Sequence, residues 1–213
     1  MKIELENVQP SEIEERSFEI IEKEMGPVPL PPLHKPVVKR VIHTTADFEY
    51  LDNLKFSEQA VERALEAIKQ GACFVTDTNM VKAGIHKASL QKFGGEVFCF
   101  MADEDVAREA KERGCTRAVV CMEKAAHIGK PVILAIGNAP TALIRVYEMV
   151  MEGTLSPELV IGVPVGFVNV TASKELILNS DIPYIVAKGR KGGSNVAAAI
   201  CNALIYMATG ERK

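Results

Sequence analysis

Five short apolar runs alternate with helical segments along most of the chain, and this alternation constrains the fold more than any other feature. The runs are ACFVTD (72–77), EVFCFM (96–101), PVILAIG (131–137), LVIGVPV (159–165) and PYIVAK (183–188). Strands separated by helices of about 10–15 residues are typical of βαβ units around a parallel sheet. Continuous apolar runs indicate strands covered on both faces. The pattern predicts an α/β fold, a Rossmann-like three-layer αβα sandwich built on a parallel sheet.

The remaining segments predict the helices. We expect helices over 57–70, 78–92, 103–113, 115–128, 139–152, 171–180 and 194–208. Residues 11–25 also have helical spacing, with Ser11 as the expected N-cap and Glu14 completing a capping box. The following stretch, GPVPLPPLHKP (26–36), contains five prolines and predicts an extended connector. The sequence therefore predicts a helical and proline-rich N-terminal arm.

The length of 213 residues predicts a single domain, which we divide into the arm, 1–36, and an α/β core, 37–213. Apolar residues make up 47% of the chain, enough to fill a core. No apolar run approaches the roughly 18 residues that a membrane span needs, and the acidic N-terminus lacks the apolar stretch of a secretory signal. We expect a cytoplasmic protein that does not contact a membrane.

Charge and cysteine content exclude several classes of site. The net charge is −3, and the cations lie in short clusters, which favours a small polyanionic ligand over nucleic acid. The five cysteines form no CxxC pair, so a disulfide framework and a zinc site are not expected. The sequence contains no HExxH motif, and its four histidines lack metal-ligand spacing. We expect no metal.

Four loops follow predicted strands and should meet at one edge of the sheet. They are TDTNMVKAG (76–84), GNAPTA (137–142), PVGFVNVTASKE (164–175) and KGRKGGSN (188–195). In open α/β sheets, ligands bind beyond the carboxyl ends of the strands. These loops are rich in Gly, Asn, Thr, Ser and Lys, whose donors suit oxyanions. The last loop lacks the GK[ST] ending of a Walker loop and the spacing of a dinucleotide loop. An anion site and a glycine-rich turn with solvated lysines both remain open for it.

Several single residues are candidates for chemistry. His43, in RVIHTTADFEY (40–50), has Thr44 and Thr45 placed to orient its ring, although a lone histidine is more often structural. Asp77 and Thr78 lie at a strand-to-helix junction, where N-capping is the alternative to ligand binding. Lys82 and His86 share a helix face. Arg117 begins a predicted helix, an unfavourable place for a cation without a partner.

Taken in order, these loops resemble one known family. RVIHTTADFEY, TDTNMVKAGI, AIGNAPTAL, PVGFVNVTASKE and GRKGGSNVAAAICNAL are similar to motifs of the precorrin-8X methylmutase family, which includes cobalt-precorrin-8 members. The similarity extends from about residue 11 to residue 208, and ERSFEII (15–21) resembles the N-terminal helix of the family. Five ordered motifs are far more specific than any single one.

The resemblance implies an isomerase of cobalamin biosynthesis. The family moves a methyl group from C11 to C12 of a contracted tetrapyrrole, giving hydrogenobyrinate or its cobalt counterpart, cobyrinate. No cofactor is implied, because the shift is intramolecular. A homodimer with the site near the subunit interface is implied. His43 stands at the position of the family's acid/base histidine, and Ser17 and Arg40 align with substrate-contacting positions.

The loops and the resemblance together give a set of expected substrate-binding residues, which would hold the carboxylate arms and face of the macrocycle. They are Ser17, Arg40, Thr76, Asp77, Lys82, Arg117, Asn138, Lys188, Arg190, Gly192, Gly193 and Ser194. Two positions depart from the family. Lys188 replaces an expected arginine, which loses bidentate geometry, and Ala172 replaces a glutamate before SKE.

Other interpretations are weaker. A non-catalytic tetrapyrrole carrier would use the same loops and remains the alternative to the isomerase. A cobalamin-binding domain would need D-x-H-x-x-G, which is absent, and the failed phosphate motifs disfavour a nucleotide-dependent enzyme. Val165, Phe167 and Val168 suit either the face of the ring or an ordinary core.

Overall fold

The computed structural model describes residues 6–211 and contains one mixed sheet in that range. Its strands are β1 (Leu54–Phe56), β2 (Cys73–Thr76), β3 (Val97–Phe98), β4 (Val132–Ile136), β5 (Leu159–Gly162) and β6 (Tyr184–Ala187). They lie in the order β1-β6-β5-β4-β2-β3. All neighbouring pairs are parallel except β1 with β6. The five predicted strands are therefore present and parallel.

Helices cover both faces of this sheet. They are α1 (Ile13–Met25), α2 (His34–Thr45), α3 (Tyr50–Asn53), α4 (Ala60–Lys69), α5 (Asn79–Gly84), α6 (Lys87–Gln91), α7 (Glu104–Arg113), α8 (Arg117–Ala125), α9 (Pro140–Met151), α10 (Val170–Leu178) and α11 (Ser194–Thr209). One buried cluster packs α1, α2, α4 and α11 against one face of the sheet. A second cluster packs the helices α7, α8, α9 and α10 against the other face.

Successive residues of each central strand belong to opposite cores. Phe74 packs in the α2 and α11 core and Val75 in the α8 and α9 core, and Ile133 and Leu134 divide in the same way. All four are fully buried, as expected for strands covered on both faces. The fold is the predicted three-layer αβα sandwich.

Several local features differ from the sequence predictions. The capping box at Ser11 does not form, because the helix begins at Ile13 with Glu12 at the N-cap and no side-chain cap. The connector ends earlier than expected, since α2 begins at His34 and accommodates Pro36 in its first turn, where backbone N–H groups lack helical partners. Strand β1, with only three residues, was not predicted.

The helix predicted over 78–92 is divided into α5 and α6. The Asn202 side chain of α11 donates to the Gly84 carbonyl at 2.8 Å and accepts from the His86 N–H at 2.8 Å. Ile85 between them has an extended backbone, with ψ of 134°. A polar side chain from a neighbouring helix therefore takes the bonds that would have continued the helix.

The N-terminal helix lies against α2. Glu22 of α1 pairs with Lys35 and, at 2.6 Å, with Lys39, and Phe18 packs against the first core. The part of the arm before residue 6 lies outside the described residues. No helix within 6–211 is long and apolar enough to cross a membrane.

The strand order reverses between β2 and β4, and one buried carboxylate joins the two loops that begin there. The fully buried Asp77, just after β2, accepts backbone N–H bonds from Gly137, Asn138 and Ala139 at 2.6–2.9 Å. Burial raises the pKa of the Asp77 carboxyl, and the N–H donors act in the opposite direction. Since every partner is a donor, the ionised carboxylate is the form that this loop satisfies.

We expect Asp77→Asn to lower the free energy of unfolding by about 2–4 kcal/mol, because an amide nitrogen would face backbone donors and leave buried N–H groups unpaired. Urea unfolding monitored by circular dichroism measures this. Asp181→Asn, at an exposed turn, is the control and should change stability by less than about 0.5 kcal/mol. Equal stabilities for the two variants would contradict the role of Asp77.

Candidate active site

The loops after β2, β4, β5 and β6 meet at the carboxyl edge of the sheet, as the sequence predicts. Asp77 joins the first two loops. Thr78 and Ser194 join the first loop to the last through a hydroxyl–hydroxyl contact of 3.0 Å. The Gly193 N–H donates to the Val163 carbonyl at 2.8 Å, which joins the last two loops. The edge is a connected rim of loops.

The glycines of the last loop permit a close approach to the end of β5. A Cβ at Gly192 would lie 2.1 Å from the Val163 carbonyl oxygen, and the φ of Gly192, +155°, disfavours a side chain. The adjacent Gly193 is the N-cap of α11, with φ of +136°. Only glycine fits here, and its presence brings the start of α11 to the rim.

The cations of this loop have different surroundings. Lys188 and Arg190 are exposed, and the Arg190 guanidinium lies 5.4 Å from the Phe167 ring centre. Lys191 instead pairs with Asp47 at 2.6 Å and Glu49 at 2.9 Å. These acids also raise the pKa of the Lys191 ammonium. Lys188 and Arg190 are therefore the cations of this loop that a ligand reaches most readily.

A buried lysine holds the backbone of the glycine-rich loop, and this residue was not among the predicted site residues. Lys174 of α10 is fully buried, and its Nζ donates to the Gly189 carbonyl at 2.9 Å and the Lys191 carbonyl at 2.8 Å. Burial lowers its pKa to about 8. A signal was present, since Val170, Lys174 and Ile177 share one buried helix face, where a lysine needs polar partners.

The apolar loop after β5 lies on the surface. Val165, Phe167 and Val168 are 49%, 81% and 79% exposed, which excludes the core interpretation for these three side chains. A Cβ at Gly193 would lie 4.0 Å from Val165, so this loop borders the start of α11. An exposed apolar segment beside cations suits a ligand with a flat apolar face and charged arms.

His43 lies in the last turn of α2 and is exposed. Its ring stacks on Phe18 of α1, with centroids 5.0 Å apart. Thr44 and Thr45 donate to helix carbonyls at 3.0 and 2.8 Å, so the expectation that these hydroxyls orient the ring was wrong. Phe18 is the contact that restricts the ring.

An open groove of about 610 Å³ joins His43 to the start of α11. The groove is lined by side chains of α1, α2 and α11 together with residues near them: Pro10, Ile13, Glu14, Arg40, His43, Thr44, Gly84, Asn195, Ala198, Ala199, Asn202 and Tyr206. Asn195 follows directly on the glycine loop. The groove therefore brings together two motifs that are about 150 residues apart in the sequence, His43 and GGSN.

Arg40 lies one turn before His43 on α2. Its guanidinium pairs with Glu14 and lies 4.7 Å from the Phe18 ring centre and 5.2 Å from that of Tyr206. Two aromatic rings and a carboxylate thus fix this cation beside the groove.

Ser17 adjoins the other side of the histidine. Its hydroxyl donates to the Ile13 carbonyl at 2.8 Å, and it shares a second cavity, of about 320 Å³, with His43. The imidazole is therefore accessible from both sides of the Phe18 contact.

Other predicted site residues occupy different surroundings. Thr76 and Asp77 are fully buried and shape the rim from within. Asn138 is exposed at the end of β4, and Lys82 lies on α5, one turn after the rim. Arg117 begins α8 in the opposite helix layer and donates to the Met101 carbonyl at 3.3 Å. The structure does not bring Arg117 into the His43 groove.

The described residues contain no group of three or more His, Cys, Asp or Glu side chains that could hold a metal ion. Four of the five cysteines are buried and all are unpaired. The rim and the adjoining groove offer hydrogen-bond donors, cations and the exposed imidazole of His43 to a ligand.

Comparison with known proteins gives a consistent result. A family model described as precorrin-8X methylmutase matches residues 12–207. The chain is 46% identical over 204 residues to the cobalt-precorrin-8 methylmutase of Salmonella typhimurium, covering 93% of this chain and 95% of the relative. It is 44% identical to that of Priestia megaterium, covering 94% and 89%. A crystal structure of the precorrin-8x methyl mutase from Thermus thermophilus superposes with a TM-score of 0.86 at 41% identity, covering 93% and 98%.

The surroundings of Lys174 predict a pH-dependent contribution to stability. In the unfolded chain its pKa is 10.5, and in the folded protein about 8. Between these values the unfolded state binds more protons, so stability attributable to Lys174 rises with pH across this window. We expect the free energy of unfolding of the wild type, relative to Lys174→Met, to increase by up to about 3 kcal/mol from about pH 7 to pH 10.5.

Chemical denaturation at several pH values measures this difference. Lys55→Met, at an exposed position of β1, is the matched control and should show no such slope. A constant difference between wild type and Lys174→Met across the window would contradict the prediction.

Proposed function

The chain belongs to the precorrin-8X methylmutase family, and we propose that the groove at His43 is where it carries out the reaction of that family. The chain is an isomerase of cobalamin biosynthesis. The reaction moves a methyl group from C11 to C12 of precorrin-8X or cobalt-precorrin-8, giving hydrogenobyrinate or cobyrinate.

One observation carries the assignment of the site: an exposed imidazole and the start of the glycine-rich helix line the same groove. The glycine-rich loop that leads into Asn195 carries the exposed cations Lys188 and Arg190, and the Arg190 guanidinium lies 5.4 Å from the ring centre of the exposed Phe167. A corrinoid ring is flat and partly apolar, with acetate and propionate arms. Each exposed cation–carboxylate contact contributes about 1 kcal/mol, and more where water is excluded.

The reaction makes modest demands on the protein. The bond from the methyl group to C11 breaks as the bond to C12 forms, and no atom enters or leaves the molecule. Little formal charge develops, so orientation and ring pucker are the main requirements. His43 shares a proton with the nitrogen of the rearranging ring, which withdraws electron density and favours the new double-bond pattern. General acid assistance of this kind contributes about 10²–10⁴-fold.

The metal content of the substrate changes this role. In metal-free precorrin-8X the ring nitrogen has a lone pair available for a proton. In the cobalt form that lone pair binds the metal, which itself withdraws electron density. We therefore assign the proton-sharing role of His43 to the metal-free substrate, and a positioning role to it with the cobalt substrate.

His43→Ala should lower turnover of metal-free precorrin-8X by about 10²–10⁴-fold and turnover of cobalt-precorrin-8 by less, with product binding retained for both. The visible spectrum of the rearranged chromophore reports turnover. Absorbance titration with hydrogenobyrinate measures how tightly each variant binds the product. His127→Ala, at an exposed turn after α8, is the control.

Full activity of His43→Ala would remove this residue from the mechanism. Tight product binding by a wild-type protein that converts neither substrate would favour the alternative, a non-catalytic tetrapyrrole carrier.

We also propose a homodimer that acts in the cytoplasm. Exposed apolar side chains border the groove or the rim, including Ile13 at 53% and Phe167 at 81% exposure. Both surfaces are available to a second copy or to the substrate. We assign Ile13, with α1, to the side nearer the partner subunit and Phe167 to the face of the macrocycle.

Sedimentation equilibrium should give twice the chain mass of 23.2 kDa for the wild type. Phe167→Ser should retain this mass and weaken binding of hydrogenobyrinate, because it removes apolar contact area with the ring. A monomeric wild type at micromolar concentration would contradict the dimer, and a monomeric Phe167→Ser would place the interface at the rim instead.

A further inference from the structure

The guanidinium of Arg40 has an internal carboxylate partner inside the candidate substrate groove. Glu14 of α1 pairs with Arg40 of α2, and both residues line the groove that contains His43. The side chain of Arg40 is only 12% exposed and that of Glu14 36% exposed. The pair is therefore partly shielded from water, where charge pairing is stronger than on an open surface.

Arg40 is fixed in place by more than this ion pair. Its guanidinium lies 4.7 Å from the Phe18 ring centre and 5.2 Å from the Tyr206 ring centre. The position of the cation therefore does not depend on Glu14 alone. A different carboxylate, presented from the groove, would meet the guanidinium at the same place.

We propose that Glu14 is an internal competitor for the carboxylate arm of the substrate: it binds Arg40 in the free protein and yields when a tetrapyrrole carboxylate takes its place. This inference rests on the proposed function of the groove. It makes Glu14 a residue that sets substrate affinity, although it makes no lasting contact with the substrate.

The exchange does not require α1 to leave the body of the protein. Glu22, two turns further along α1, pairs with Lys35 and Lys39 of α2. Phe18 between these points packs against His43. Rotation of the Glu14 side chain away from Arg40 would open the guanidinium to the groove, and Glu14 lies in the first turn of the helix, where helices fray most readily.

Charge removal at position 14 tests the competition. Glu14→Gln should bind hydrogenobyrinate about five- to tenfold more tightly than the wild type, because the free protein no longer has to give up the ion pair. Glu15→Gln is the matched control: it removes the same charge from the next residue, which is exposed and lies outside the groove. Its affinity should stay within about twofold of the wild type.

A double-mutant cycle separates two effects of Glu14 on ligand affinity. One is competition with the ligand carboxylate for Arg40, and the other is direct repulsion between Glu14 and the anionic ligand. In an Arg40→Gln background, Glu14→Gln should no longer change the affinity, because there is no guanidinium to release. The same variants give a second readout in thermal shift: Glu14→Gln should lower the melting temperature of the free protein and increase the shift produced by saturating hydrogenobyrinate.

Two results would overturn the inference while leaving the proposed function intact. One is weaker or unchanged binding by Glu14→Gln relative to Glu15→Gln, and the other is an equal gain in affinity with and without Arg40. Failure of the wild-type protein to bind hydrogenobyrinate at all would overturn the proposed function and this inference together.

Discussion

The buried carboxylate of Asp77 holds the rim on which the site depends. It accepts three backbone N–H bonds from the loop after β4, at the point where the order of the parallel strands reverses. On the other side of the rim the buried ammonium of Lys174 donates to two carbonyls of the last loop. Burying a charge is costly unless it is hydrogen-bonded, and here each charge is bonded to loop backbone. One buried anion satisfies backbone donors of one loop and one buried cation satisfies backbone acceptors of another.

This internal support leaves the outer cations available. Lys188 and Arg190 are exposed and lie on a loop whose carbonyls already accept hydrogen bonds from Lys174. Lys191, in contrast, is committed to Asp47 and Glu49 and ties the loop to the segment after α2. The glycine-rich loop is therefore both an ordered turn and a source of free positive charge, and the two interpretations that the sequence left open are compatible.

The sequence predicted the parts of the structure that follow from local patterns. The central strands were found because burial on both faces requires continuous apolar runs, and the gathering of their loops follows from parallel pairing. Strand β1 was missed because its three residues, which include the exposed Lys55, gain their conformation from pairing with β6. The break at Ile85 depends on Asn202, and the ion pair of Arg40 depends on Glu14; both partners are distant in sequence, and no periodicity specifies such contacts. The motifs of the family located His43, whereas its stacking on Phe18 is visible only in three dimensions.

The open shape of the groove is consistent with the chemistry proposed for it. A reaction that develops strong charge, such as acyl transfer, gains most from an enclosed site with preorganised donors. An intramolecular methyl migration develops little charge, and its barrier depends on ring conformation. A flat macrocycle held by its carboxylates at Arg40 and at the rim would itself cover the exposed imidazole of His43 and exclude water from it. In the proposed complex the substrate would form one wall of its own active site, and the protein would need only to fix the arms, the ring face and one proton.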